Sequence, residues 1–465
     1  MSVQNSKFVA SVFKSSGVVT INGENIPYDT VCQDNVLHDE LGEEIASMFT
    51  YSYFRSDVED VTSRPVVFFF NGGPGSSSIW LHAGVFGPIR MTFENPEAVN
   101  VPHVAPYYAV NNDLCLLDKC DLVFIDPVGT GWGRLLKKEA ASRFYGLDED
   151  AESFRILIDT WVSRHKRWYS PKYLLGESYG TVRAGLLSDK LGGRAEELVG
   201  VGIDGIILLG NAMGNTGAIL EFDAEPSLLA LPTMAAAHWY HHKLEGSLED
   251  FVNKCYQFCE NEYVLALFKG TTIDDDEREK IAEKVAYFSG LSKKEILKQN
   301  LRPDMTLSWQ QLLEDEGLEI GRLDGRYTRK FGTRSGKEGV AITQYTPAFM
   351  ATMCGPIKEN LGIDFEREYY AISSRDGFEW NEEKCKHLPH ECLSASMNRN
   401  YDLRVMFATG YYDMACQIGQ ARYLATHGGY PMDRIEINEY PSGHMAYLGE
   451  ESAKAFVRDV RNFIK

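Results

Sequence analysis

The chain has 465 residues, 44% of them hydrophobic, enough for a large core and for more than one structural unit. A formal net charge of −19 argues against a nucleic-acid-binding surface, which needs clustered Lys and Arg, and offers little to an anionic membrane. No run approaches the roughly eighteen apolar residues of a membrane span. In chain order, residues 1–7 lack an apolar core and a small-residue cleavage site, and residues 8–13 are too short for a secretory core. This predicts a cytoplasmic protein, or a secreted one whose leader has been removed. Strand-like runs follow at residues 18–21, 45–54, 66–70, 122–125, 173–175 and 203–209. They alternate with helical patterns at 150–168, where Phe154, Leu157, Ile158 and Trp161 share one face, and at 181–191. Such alternation predicts an α/β fold with a central, mostly parallel sheet. From 214 to 334 the chain turns helical, aromatic and charged, with helices expected at 232–242, 248–268, 274–288 and 293–299. Strand patterns return at 403–407 and 435–440. The expected organisation is a core built from residues 1–213 and 335–465, with 214–334 inserted as a largely helical cap over the site.

Nine cysteines are an odd number, so at least one has no partner within the chain. Cys255 and Cys259 are spaced for one helix face, and Cys385 and Cys392 flank a loop-like stretch; neither pair is followed by the second ligand pair of a zinc site. Reduced thiols are the expectation. In Trp239-Tyr240-His241-His242, adjacent histidines on a helix point in different directions, which argues against a metal site. Asp274-Asp275-Asp276 with Glu277 reads as an acidic helix start, its spacing wrong for a calcium loop. Gly129-Thr130-Gly131 lacks the third glycine of a dinucleotide fingerprint. Neither a metal nor an organic cofactor is expected, and nothing in the sequence sets an oligomeric state.

The chemistry concentrates at Gly176-Glu177-Ser178-Tyr179-Gly180, which follows the apolar run 173–175 and opens a helical stretch. A serine flanked by glycines between strand and helix describes a nucleophile elbow, a turn too tight for side chains at the flanking positions. A serine hydroxyl needs an imidazole as base, and the imidazole needs a carboxylate to fix its tautomer. Asp413 and His444 each sit in a glycine-containing loop just after a strand-like run. The order Ser, Asp, His is that of the α/β-hydrolase fold.

A fourth segment, Asn71-Gly72-Gly73-Pro74-Gly75-Ser76-Ser77-Ser78, follows the strand-like run 66–70. Together with Gly176 to Gly180, Asp126-Pro127-Val128-Gly129-Thr130-Gly131-Trp132 and Ser442-Gly443-His444-Met445, it closely resembles the serine carboxypeptidase family from about Tyr53 to Tyr447. The resemblance implies a peptide substrate, with Ser178 as nucleophile, His444 as base and Asp413 as its orienting carboxylate. It implies an oxyanion hole from the backbone N–H groups of Gly73 and Tyr179, and binding of the substrate's terminal carboxylate by Asn71 and Glu177. Two positions depart from the family pattern. Val85 stands where the family has a second glutamate paired with the one beside the nucleophile, and Ser76 where the loop has a disulfide-bonded cysteine. Two close carboxyls cannot both ionise, so the pair keeps one proton for a substrate carboxylate. Without its partner Glu177 ionises more readily, unless burial holds the proton or a cation covers it; His82 and Arg90 lie near in sequence. Three functions follow: a carboxypeptidase, an esterase or acyltransferase using the same triad, and a binding protein on the same fold, which a complete triad argues against.

Overall fold

Among the described residues four strands are buried at every residue, because a strand covered on both faces has no polar side to show. They form the middle of one sheet in a computed structural model that describes residues 8–97, 99, 101, 104–193, 199–213, 226–332, 340–373, 378–381 and 385–465. The strands are β1 (Val12–Ile21), β2 (Glu24–His38), β3 (Glu44–Arg55), β4 (Val66–Phe70), β5 (Asp121–Asp126), β6 (Lys172–Glu177), β7 (Gly205–Leu209), β8 (Arg404–Gly410) and β9 (Ile435–Tyr440). Their order across the sheet is β1-β2-β3-β5-β4-β6-β7-β8-β9, with the short strand Arg134–Leu135 beside β3. The first three strands and the β3–β5 junction are antiparallel; every pairing from β5 to β9 is parallel. This is the α/β-hydrolase fold.

The period of two along each strand sends alternate side chains to two separate cores. Val67, Phe69, Leu175 and Ile207 face a cluster shared with α6 (Val340–Thr352) and α7 (Glu450–Phe463). Phe68, Phe70, Leu174 and Ile206 face the other cluster, filled by α1 (Leu147–Arg164) and α2 (Tyr179–Gly192). The helices α3 (Pro226–His242), α4 (Leu248–Phe258) and α5 (Asp275–Ser289) follow β7 and share a third core with Met414. Register brings the carboxyl ends together: Phe70 pairs with Gly176, Glu177 with Leu209, and Gly410 with Tyr440. The loops after β4, β6, β7, β8 and β9 therefore leave from one edge of the sheet, where open parallel sheets bind ligands.

Several expected elements differ. The strand expected at 18–21 is the end of the ten-residue β1, and β2 is an addition; they form an edge hairpin around Asn22 and Gly23, both at positive φ. Lys14, Asp29 and Asp34 break the apolar alternation there, and the Asn-Gly pair is the signal that marks such a turn. The helix expected at 150–168 runs from Leu147 to Arg164. Hydrogen bonding in β7 starts at Gly205, not 203. The helix expected from 232 runs back to Pro226, and the one expected at 248–268 contains a wider, π-type turn at Cys259–Tyr263, with Tyr263 stacked on Phe258. The region expected to be helical also holds a hairpin, Leu318–Ile320 with Thr328–Lys330. Residues 214 and 334, where the expected cap begins and ends, lie outside the described residues, as do residues 1–7. Among the described residues no helix is long and apolar enough to cross a membrane.

Candidate active site

Ser178 leaves β6 with φ 60° and ψ −128°, a conformation rare for a residue with a side chain. The turn is held by the Ser178 N–H donating to Leu209 O at 2.8 Å and by Thr181 donating to Ser178 O through both its N–H and its hydroxyl. A Cβ on Gly176 would lie 2.2 Å from Gly180 O, and one on Gly180 would lie 2.8 Å from Phe70 O. The two glycines of the elbow are therefore demanded by backbone contact.

The Asn71 to Ser78 loop packs backbone against backbone on this turn: a Cβ on Gly72 would sit 2.3 Å from Tyr179 N. Asp126 anchors the far end of the loop, accepting the N–H and hydroxyl of Ser78 at 2.8 Å each and the Tyr51 hydroxyl at 2.6 Å. Gly131 passes so close to Asp126 that no Cβ fits. The 126–132 segment is thus a brace for the loop. Ser76 accepts the Trp80 indole N–H at 2.8 Å, and none of the nine cysteines is in a disulfide.

Asp413 and His444 meet at the ends of β8 and β9. His444 Nδ1 lies 2.7 Å from Asp413 Oδ2, while Asp413 Oδ1 accepts the N–H groups of Ala415 and Cys416 at 2.9 Å each. The His444 backbone N–H donates to Leu323 O at 2.7 Å. Burial pulls the ring toward its neutral form, but Asp413 and Cys416 outweigh it and hold its pKa well above the usual imidazole value. Ser178, His444, Glu177, Asn71, Gly73 and Tyr179 all line one cavity of about 410 Å³. The Ser178 hydroxyl and His444 face it without a hydrogen bond between them, a contact that often tightens only when substrate binds.

Glu177 is 3% exposed, and its Oε2 accepts the Tyr447 hydroxyl at 2.8 Å. Burial raises its pKa to about 7, against the opposing pull of His444, Tyr447 and Asn71. Asn71 Oδ1 accepts the Leu81 N–H at 3.2 Å, and Asn71 O accepts Arg183 Nη1 at 2.6 Å. Arg183 is itself buried, paired with Asp150 at 2.7 Å and stacked over the Phe154 ring.

His82 and Arg90 do not reach the cavity. His82 points into the core, 2.7 Å from the Tyr53 hydroxyl and stacked on Phe124, while Arg90 turns to Glu450 at 2.9 Å. Val85 is buried in the same apolar core. Tyr447, Asp150 and Arg183 escaped the sequence reading, because no local pattern marks a tyrosine or a buried ion pair as a neighbour of Glu177 or Asn71. His241 bonds Gly325 O at 2.7 Å; among the described residues, the His, Cys, Asp and Glu groups near enough to share an ion are Asp413, Cys416 and His444 themselves.

A family model described as "Serine carboxypeptidase" matches residues 40–450. The chain is 27% identical over 136 residues to serine carboxypeptidase-like 36 of Arabidopsis thaliana, a match covering 29% of this chain and 26% of that protein. It is 26% identical over 142 residues to serine carboxypeptidase-like 8 of the same plant, covering 30% of each. The match thus spans between a quarter and a third of these curated relatives. The structure is similar to that of Kex1Δp, a prohormone-processing carboxypeptidase from Saccharomyces cerevisiae, with a TM-score of 0.55 and 14% identity over 93% of this chain and 91% of that one.

Proposed function

The chain belongs to the serine carboxypeptidase family, and from that premise we propose that it releases C-terminal residues from peptides through an acyl-enzyme on Ser178. The supporting observation is a protonatable, buried Glu177 beside Asn71 in the cavity that Ser178 and His444 line. In this mechanism the Asp413 carboxylate takes the Nδ1–H of His444, leaving the Nε2 lone pair as base. The Ser178 hydroxyl attacks the scissile carbonyl and its proton passes to Nε2. The N–H groups of Gly73 and Tyr179 donate to the developing oxyanion. The imidazolium then protonates the leaving amine as the C–N bond breaks. Water, deprotonated by the same ring, cleaves the ester and restores the serine.

The terminal carboxylate rests on Asn71 and on the carboxyl proton of Glu177. Burial, acting against the hydrogen bond from Tyr447, does the work expected of a second glutamate at position 85. The sign follows from the raised pKa. Below about pH 7 Glu177 carries a proton and donates it; above, its charge repels the substrate. The preference for a blocked dipeptide over its C-terminal amide is therefore expected to fall by about tenfold per pH unit above that point. Measured as kcat/KM from about pH 4 to 9, the range in which carboxylates and histidine titrate, it should flatten in Glu177→Gln. Equal turnover of acid and amide at every pH, or activity on esters alone, would replace the carboxypeptidase with an esterase or acyltransferase.

Gly72→Ala tests the oxyanion loop. Its Cβ would strike the backbone of Tyr179 and Gly180, moving one proposed donor and the loop that carries the other. A loss in kcat of roughly 10²–10³ is expected, with circular dichroism unchanged; wild-type kcat would mean the loop does not set the hole.

A further inference from the structure

Among the described residues, the cavity is lined by one cation that this chemistry leaves unused. Arg322 belongs to the turn between the hairpin strands Leu318–Ile320 and Thr328–Lys330, closed by Gly321 N–H donating to Tyr327 O at 2.8 Å. The turn is clamped onto the catalytic loops: Leu323 O takes the His444 N–H, and the Gly325 N–H donates to Tyr412 O at 2.9 Å. The neighbouring charges are committed elsewhere. Asp324 is buried and grips Arg326 at 2.6 Å, Asp413 holds His444, and Glu177 holds Tyr447. Arg322 itself is exposed and makes no hydrogen bond or ion pair among the described residues, in a chain with 66 acidic residues. Its charge reaches Cys416, the neighbour of His444.

We propose that Arg322 selects peptides whose C-terminal, released residue is aspartate or glutamate; this rests on the carboxypeptidase reading above. His444 must hand its proton to the leaving amine, so the released residue departs beside His444, whose backbone N–H rests on Leu323 O, next in the chain to Arg322. Asn71 and Glu177 take its terminal carboxylate, which leaves Arg322 for a second negative charge. A guanidinium suits that task because its fork can hold a carboxylate by two parallel hydrogen bonds.

The test compares kcat/KM for N-blocked dipeptides ending in Glu, Gln and Leu, on the wild type, Arg322→Gln and Arg322→Glu, with one ending in Lys added for the charge reversal. The wild type is expected to prefer Glu over Gln by roughly ten- to a hundredfold, as a charge-assisted pair affords. The ratio should shrink toward one in Arg322→Gln, mainly through KM, and the charge reversal should favour a C-terminal Lys. Equal turnover of Glu and Gln by the wild type overturns the inference while leaving the carboxypeptidase intact. An equal loss on all three acids in Arg322→Gln also overturns it, assigning Arg322 to the terminal carboxylate. No release from any of the three removes the carboxypeptidase reading, and this inference with it.

Discussion

Ser178→Ala is expected to lower kcat on a blocked dipeptide by about 10⁶, the scale on which removal of a serine nucleophile disables a whole triad. The backbone should not change. Alanine meets the same φ of 60° as serine, and the Gly176 and Gly180 contacts that force the turn are untouched. The loss therefore reads chemistry rather than folding. Labelling with a fluorophosphonate, followed by mass spectrometry of the peptide spanning Gly176 to Gly180, should mark the wild type and miss the variant. Turnover within roughly tenfold of wild type would remove Ser178 from the nucleophile's place.

Asp413→Asn should cost about 10⁴ in kcat, through the tautomer of His444. The two carboxylate oxygens have distinct tasks: Oδ1 holds the Ala415 and Cys416 N–H groups, and Oδ2 faces Nδ1. In asparagine the carbonyl oxygen will stay with the two N–H donors, since the amide nitrogen cannot accept them. The NH₂ then faces Nδ1, which must become an acceptor, and the ring proton moves to Nε2. The base is lost although every heavy atom stays where it was. Proton NMR should lose the low-field Nδ1–H signal, and activity should recover partly at high pH. A variant within roughly tenfold of wild type would mean that another group orients the ring.

The parts of this protein legible in its sequence are those whose geometry is local. Gly176 and Gly180 are spelled by contacts within one turn, and Phe68 to Phe70 by burial on both faces of a strand. The order of Ser178, Asp413 and His444 followed from three strand-end loops. Long-range partners left no such trace. Tyr447 is 270 residues from Glu177, and Arg183 is 112 from Asn71, so only the folded chain joins them. Proximity in sequence also misled: His82 and Arg90, close to Val85, turn to Tyr53 and Glu450. The strand β2, second from the edge of the sheet, was missed because Asp29, Gln33, Asp34 and Asn35 satisfy polar partners there instead of alternating with apolar residues.

The hydrogen bond from the His444 N–H to Leu323 O bears on how far this pocket can be rebuilt. The turn that forms a wall of the pocket is also the shelf on which the histidine loop rests. Grafting a foreign segment over 321–327 to change selectivity would strip that acceptor from a buried donor, at a cost of roughly 1–3 kcal/mol, and would let the imidazole drift. The wall of the pocket and the loop that carries His444 are therefore not separable modules. Variation by side chain on this turn keeps the shelf; variation by loop exchange does not.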